Sequence, residues 1–470
     1  MSDQLNSPNL LTRRKFLGQT ACSAMTTASL LNSLLTMRSV NAQSAGVAKE
    51  ADDYKALVCI FLFGGNDSAN MLVPSEAGAH AKYLESRAEL GLARSELLPL
   101  GASNDPGLDL AVHGAMTGCE RMFKEKNLAF LANVGTLLGP ATLSDYRNGT
   151  AVIPDHLFSH SDQQVAWQTS ALSDNLYYQQ TGWGGRIADA LMASQEEAKI
   201  SMLVSLSGTN FFQVGKTLLP FRMGADGAPT YHLGKGESDR EMTRYETFRS
   251  LLSAENANMM EEAFSDLSER SIRDADTINA AIENTGDFET IPGSNLGNQL
   301  RMVAKLVEAR KELGMKRQVF FVATGGFDTH GEQLYTHSGL LSGVSSALTG
   351  FHDALDSIGA SDMVTSFTAS DFGRTYDSNG RGSDHGWGGH HLISGGAVDG
   401  GKIYGEFPDP DITTGSHLLD TGRGRWLPTT SVDQYGATMA RWFGLSDSQI
   451  HDVFPNLKNF SNQDLQFMLA

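Results

Sequence analysis

His330, His337, His385, His390 and His391 crowd one stretch of the chain, and three aspartates each follow an apolar run that ends in small residues. After the run 55–63 comes Gly64-Gly65-Asn66-Asp67-Ser68. After 318–323 comes Gly325-Gly326-Phe327-Asp328-Thr329-His330. After 363–369 comes Ser370-Asp371-Phe372-Gly373-Arg374, and a glycine-rich stretch then carries Asp384-His385-Gly386-Trp387-Gly388-Gly389-His390-His391. Carboxylates and imidazoles meeting at one edge of a fold are a ligand set for one or two divalent metals, with Zn, Mn, Ca and Mg as the candidates. The expected metal ligands are Asp67, Asp328, His330, Asp371, Asp384, His385, His390 and His391. Each has a blander reading. Asp67 after two glycines suits a turn or helix cap, and Asp371 could simply pair with Arg374.

A nucleophile belongs near such a cluster. Phe158-Ser159-His160-Ser161-Asp162 precedes Gln163-Gln164-Val165-Ala166-Trp167-Gln168, a helical run. Ser159 or Ser161 therefore stands at a helix N-terminus, where free N–H groups and the macrodipole favour negative charge. An N-cap serine is the plain alternative. The chain has no Gly-x-Ser-x-Gly elbow, no His-Glu-x-x-His, no phosphate-binding Gly-x-x-x-x-Gly-Lys-Ser/Thr loop and no Cys-x-x-Cys. Asn66-Asp67-Ser68 keeps Ser68 as a rival nucleophile for a metal-free esterase.

These residues need elements to position them. Lys55 to Phe63 is continuously apolar, which suits a strand buried on both faces. Similar strands are expected at 128–134, 200–206, 318–323 and 363–369, with helical patterns at 76–90, 115–126, 162–170 and 339–358. Alternation of this kind predicts an α/β fold, a mostly parallel sheet with helices on both faces. Residues 208–292, charged and periodic over 237–283, read as a helical insertion or cap.

Composition narrows the partners. Formal charge is −18, which disfavours nucleic acid and anionic lipid. Three cysteines cannot build a disulfide scaffold. Residues 1–42 hold Arg13-Arg14-Lys15-Phe16-Leu17, a weakly apolar stretch and Val40-Asn41-Ala42, the layout of a twin-arginine signal peptide cleaved after export. A linker at 43–52 and a catalytic domain over 53–470 would follow, in the periplasm or outside the cell. The twin-arginine machinery is the expected export partner, and no stretch is long enough for a stable membrane span.

Taken in order, these motifs, with Gly395-Gly396-Ala397-Val398 after them, resemble the twin-arginine-exported family known as domain of unknown function 1501. That family is similar in turn to the alkaline phosphatase and sulfatase superfamily. The resemblance implies an alkaline phosphatase-like sheet with a helical insertion, one or two metals, and a serine nucleophile at Ser159. Asp67, Asp328 with His330, Asp371, His385 with Asp384, and His390 or His391 would then be ligands. It implies a metal-dependent hydrolase of phosphate or sulfate esters acting on a small molecule or a surface polymer. The alternatives are an esterase using Ser68 and a non-catalytic binding protein.

Overall fold

The structure is a computed structural model that describes residues 54–170, 176–229, 238–253, 258–414 and 417–469. The twin-arginine segment and the linker lie outside the described residues.

The apolar run at the start of the described chain forms the strand Lys55–Leu62, and all but its first residue are buried. It lies between Arg317–Thr324 and Val364–Ser370, parallel to both. A strand flanked on both sides and buried on both faces has no polar surface to present, so its sequence does not alternate. The nine-stranded sheet runs Ile403–Gly405, Leu128–Gly135, Gly389–Ser394, Val364–Ser370, Lys55–Leu62, Arg317–Thr324, Leu203–Ser205, Phe221–Arg222, with Thr430–Ser431 also on Leu128–Gly135. Every pairing is parallel except those of Gly389–Ser394, which runs against both neighbours.

Helices cover the sheet in two groups. Thr117–Lys124, Asn295–Glu308 and Gln333–Ser357 pack together, while His160–Thr169, Trp183–Leu191, Val432–Phe443 and Asp447–Val453 form the other group. The fold is thus mixed α/β around a mostly parallel sheet, as the alternating pattern indicates. Residues 208–292 contribute the helices Asp239–Leu252 and Met259–Ile282, and also the edge strand Phe221–Arg222. Along Met259–Ile282, Ile272, Ala275, Ile278 and Ala281 are buried, a stripe at helical spacing. Among the described residues no helix is long and apolar enough to cross a membrane.

Register decides what meets at the sheet's edge. Leu62 pairs with Thr324 on one side and with Ser370 on the other, so three strands end at one level. Ser370 Oγ donates to Leu62 O at 2.6 Å and accepts from Asn66 N at 2.9 Å, which locks two of those ends together. The loops then cross closely. Gly64 has φ +113°, and a Cβ there would stand 2.4 Å from Asp328 N and 2.9 Å from Phe327 C. Only glycine combines that backbone conformation with that approach. Gly64→Ala is therefore expected to lose more than about 1 kcal/mol of stability. Chemical denaturation of parent and variant measures it.

Candidate metal centre

Three imidazoles reach one carboxylate from three different elements. His160 opens the helix His160–Thr169, and Gln164 lies one turn further on the same face. Both grip Asp371 Oδ2, His160 through Nδ1 at 2.7 Å and Gln164 through Nε2 at 2.9 Å. Gly64 N donates to Asp371 Oδ1 at 3.2 Å. His330, in the loop after Arg317–Thr324, sets Nδ1 2.9 Å from Asp384 Oδ1. His385 ends the short strand Ser383–His385, and its Nδ1 donates to Phe158 O at 2.8 Å.

These partners orient the rings. Asp371 also accepts from Gln164 and Gly64, and Asp384 from Asn379 and Arg423. The Phe158 carbonyl can only accept, so His385 donates from Nδ1 and turns its Nε2 lone pair the other way, the arrangement in which outer acceptors orient metal-binding histidines. Asp328 is what the three Nε2 atoms meet. His160 Nε2 is 3.5 Å from Oδ2, while His330 Nε2 and His385 Nε2 are 3.0 Å and 3.4 Å from Oδ1. The Nε2 atoms of His330 and His385 are 3.0 Å apart.

Atoms this close are held together by a shared proton or by a cation between them. Ligands held tetrahedrally at about 2.0–2.1 Å from an ion stand about 3.3–3.4 Å from one another. His160, Asp328 and His385 offer ligand atoms that all lie within 4.8 Å of one another, which fits a divalent ion held by those three, with His330 Nε2 beside Asp328 and His385. The cluster is open to one side, since Asp328 and His330 side chains are 44% and 45% exposed.

Electrostatics and packing support the arrangement. Burial works to raise the Asp328 pKa, but the hydrogen bond and charge of Arg374 outweigh it and hold the carboxyl below its ordinary value. Asp384 is likewise depressed: Asn379, Arg423 and His330 overcome its desolvation. Burial lowers His385 from its ordinary value against the raising effect of its bond to Phe158 O, and so favours the neutral ring that a ligand must be. Phe372 packs its ring 4.9 Å from that of His160 and 4.7 Å from that of His385, a wedge that fixes both planes.

The structure therefore sorts the eight expected ligands. Asp328, His330 and His385 are brought together. Asp371 and Asp384 stand behind, on the far nitrogens of His160 and His330. Asp67 is fully buried and paired with Arg87, and it also accepts from Gln333 Nε2. His390 and His391 lie within Gly389–Ser394, inside the sheet. Asn133 N donates to His390 Nδ1 at 3.1 Å and Phe407 stacks on the ring. His391 Nδ1 lies 3.3 Å from Thr368 Oγ1, with Trp167 against its face. Neither joins the cluster. His337 is buried too, its Nε2 2.9 Å from Asn66 Oδ1.

Ser159 is the half-buried N-cap of His160–Thr169, yet its side chain caps nothing. Its Oγ donates to Asp162 Oδ2 and lies 3.3 Å from Ser161 Oγ. Ser68 is 5% exposed, and no hydrogen bond joins it to a histidine among the described residues. His160 is not among the ligands expected from the sequence. The available signal was its spacing from Gln164, which places both polar groups on one helix face.

Class and family can now be stated. The protein is a mixed α/β chain whose mostly parallel sheet gathers imidazole and carboxylate at the carboxyl ends of its central strands. It belongs to the family described as "Protein of unknown function (DUF1501)", which matches residues 54–454. No curated protein matches the chain. Two solved structures are similar over much of its length. The crystal structure of Ps i-CgsB has 11% identity and a TM-score of 0.35, over 87% of this chain and 77% of that one. Ps i-CgsB in complex with k-i-k-neocarrahexaose has 10% identity and a TM-score of 0.34 over the same shares. Likeness at that level assigns neither fold nor ligand.

Burial sets a pH limit on this architecture. It depresses His390 and His391 from 6.5 to about 3 each. Between those values the unfolded chain binds protons that the folded chain refuses, so stability falls as pH drops below the ordinary histidine range. The slope is up to about 1.4 kcal/mol per pH unit for each residue. Urea unfolding at about pH 7 and about pH 5 measures it, and His391→Phe should reduce the slope by one proton's worth.

Proposed function

We propose that the chain is an exported, metal-dependent hydrolase of phosphate or sulfate esters, related to the alkaline phosphatase-like proteins its motifs resemble. The observation that carries this reading is the convergence of the Nε2 atoms of His160, His330 and His385 on Asp328, each ring being held from behind through Nδ1. His160, Asp328, His330 and His385 would hold a single ion. Three nitrogens and one carboxylate oxygen suit Zn or Mn better than Ca or Mg, which take oxygen ligands. When bound, such an ion supplies Lewis acidity, polarising an ester oxygen and lowering the pKa of a nearby hydroxyl.

The chain's own groups support an anionic substrate. Arg425 donates through Nε to His385 O at 2.9 Å and stacks its guanidinium 4.4 Å from the centre of the Phe158 ring. It thus touches His385 and Phe158, whose carbonyl holds the His385 ring, and no carboxylate forms an ion pair with it among the described residues. Its remaining N–H groups are thus left to hold a negatively charged oxygen, in the forked geometry arginine offers phosphate or sulfate. Ser159, next in the chain to both Phe158 and His160, is the nucleophile. Its Oγ bonds to phosphorus or sulfur as the ester oxygen leaves with the bonding pair, and its proton passes to Asp162, which already accepts its hydrogen bond. Water then cleaves the Ser159 ester and releases the inorganic anion.

Dialysed protein given Zn²⁺ or Mn²⁺ should bind one ion per chain and melt at a higher temperature. His160→Ala and His385→Ala should each weaken that binding by more than the ~10–100-fold typical of losing an outer partner. Absence of binding by the parent overturns the proposal. With metal retained, Ser159→Ala should lower turnover of aryl phosphates or sulfates by at least about 10³-fold. Arg425→Met should chiefly raise KM, and an uncharged carboxylic ester should not register that change.

A further inference from the structure

Asp67 is spent on none of this chemistry, and yet it is wholly buried in a chain of hydrogen bonds that ends at the centre. Its Oδ2 accepts from Arg87 Nη2 and from Gln333 Nε2. Gln333 Oε1 accepts from Ser383 Oγ at 2.6 Å. Ser383 Oγ accepts in turn from Arg374 Nε at 3.0 Å, beside the Ser383 carbonyl, which accepts from Arg374 Nε at 3.2 Å and from Nη2. Arg374 Nη1 donates to Asp328 Oδ1 and to Gly64 O, both at 2.9 Å. We infer that Asp67 is a positioning residue for Asp328, acting through Gln333, Ser383 and Arg374. The consequence for metal binding rests on the metal reading above, whereas the geometry does not.

The direction of every bond in the relay is set by its ends. The Asp67 carboxylate facing a guanidinium accepts, so Gln333 must present its NH₂ to it and its carbonyl to Ser383. Ser383 has one proton, which goes to Gln333, and its oxygen must then accept. Arg374 can only donate, and it does so on both sides. No member can turn over without leaving a buried polar group unmatched, at a cost of about 1–3 kcal/mol. Asp67, Gln333, Ser383 and Arg374 are at most 2% exposed, so water cannot take the place of a missing partner. Arg87 anchors the far end. Its Nη1 also donates to Thr375 O and Tyr376 O at 3.1 Å and 3.0 Å, gripping the strand that carries Arg374.

The relay thus ties together four separate segments: the loop after Lys55–Leu62, the start of Gln333–Ser357, the strand Ser383–His385 and the strand Arg374–Ser378. Its output is one guanidinium held against Oδ1 of Asp328, the oxygen that two of the three imidazoles face. If Asp67 served only to neutralise Arg87, the hydroxyl of Ser383 would be irrelevant to the centre.

Ser383→Ala removes that hydroxyl and little volume, and Gln333→Met interrupts the relay one step earlier. Co²⁺ alone, added to the metal-free full-length chain, is the probe, since its visible spectrum reports ligand geometry. Both variants should raise the Co²⁺ dissociation constant by about 10–100-fold and alter the visible band. Metal-free Ser383→Ala should melt within about 5 °C of the parent. Unchanged affinity and spectrum in both variants, with a parent that binds, overturns the relay. A parent that binds no Co²⁺ refutes the metal reading instead. The crystal structure of metal-free Ser383→Ala then decides the relay separately: Arg374 displaced from Asp328 sustains it, and an undisturbed contact overturns it.

Discussion

Three imidazole rings from three separate elements converge on Asp328, and most of the local architecture around that carboxylate holds them there. Each ring is tied through Nδ1 to an acceptor behind it: Asp371, Asp384 and the carbonyl of Phe158. Two of those acceptors are themselves held by further donors. Phe372 blocks ring rotation for His160 and His385 by packing against both. Arg374, fully buried, holds Asp328 in the ionised state.

Sheet topology explains how groups so distant in sequence reach this point. Parallel strands in register deliver their carboxyl ends to one level, which accounts for Asp328 and Asp371. His385 requires a different device. Because Gly389–Ser394 runs against its neighbours, its amino end lies at the same edge where the other strands finish. The segment that enters it therefore lines the site rather than the opposite rim. The helix His160–Thr169 closes the arrangement by placing its first turn over Asp371. Ligands of open α/β sheets collect at this edge for the same geometrical reason.

Much of the frame was legible in the chain itself. Unalternating apolar runs located the central strands to within a few residues, because a strand buried on both faces has no other composition open to it. The three aspartates and the Asp384-His385 pair were legible as polar groups placed where a sheet presents its loops. Which of them faces the centre was not. A strand end says where a carboxylate lies along the fold, but one residue more of loop decides whether it points forward to an ion or back to an imidazole. Asp371 follows its strand directly and points back, whereas Asp328, four residues beyond Thr324, points forward. His390 and His391 misled for a related reason. Inside the antiparallel strand their rings serve the core, where burial keeps them neutral. His160 was hidden beside a serine that drew attention as the nucleophile.

The distribution of carboxylates also bears on the number of ions. Two ions held side by side by Asp and His need several carboxylates turned inward, because bound water and imidazole alone do not offset four positive charges. Here Asp371 is committed to His160, Asp384 to His330 and Arg423, and Asp67 to Arg87 and Gln333. Only Asp328 of the four expected aspartates remains to face the centre, and Arg374 already partly neutralises it. A second cation brought next to the first would meet a guanidinium and neutral imidazoles, with no uncommitted carboxylate among these four. The acidity of the chain as a whole, −18 overall, does not change this, because charges beyond about 10 Å are screened. On the metal-dependent reading proposed above, the local balance would therefore favour one ion of the nitrogen-preferring kind over two.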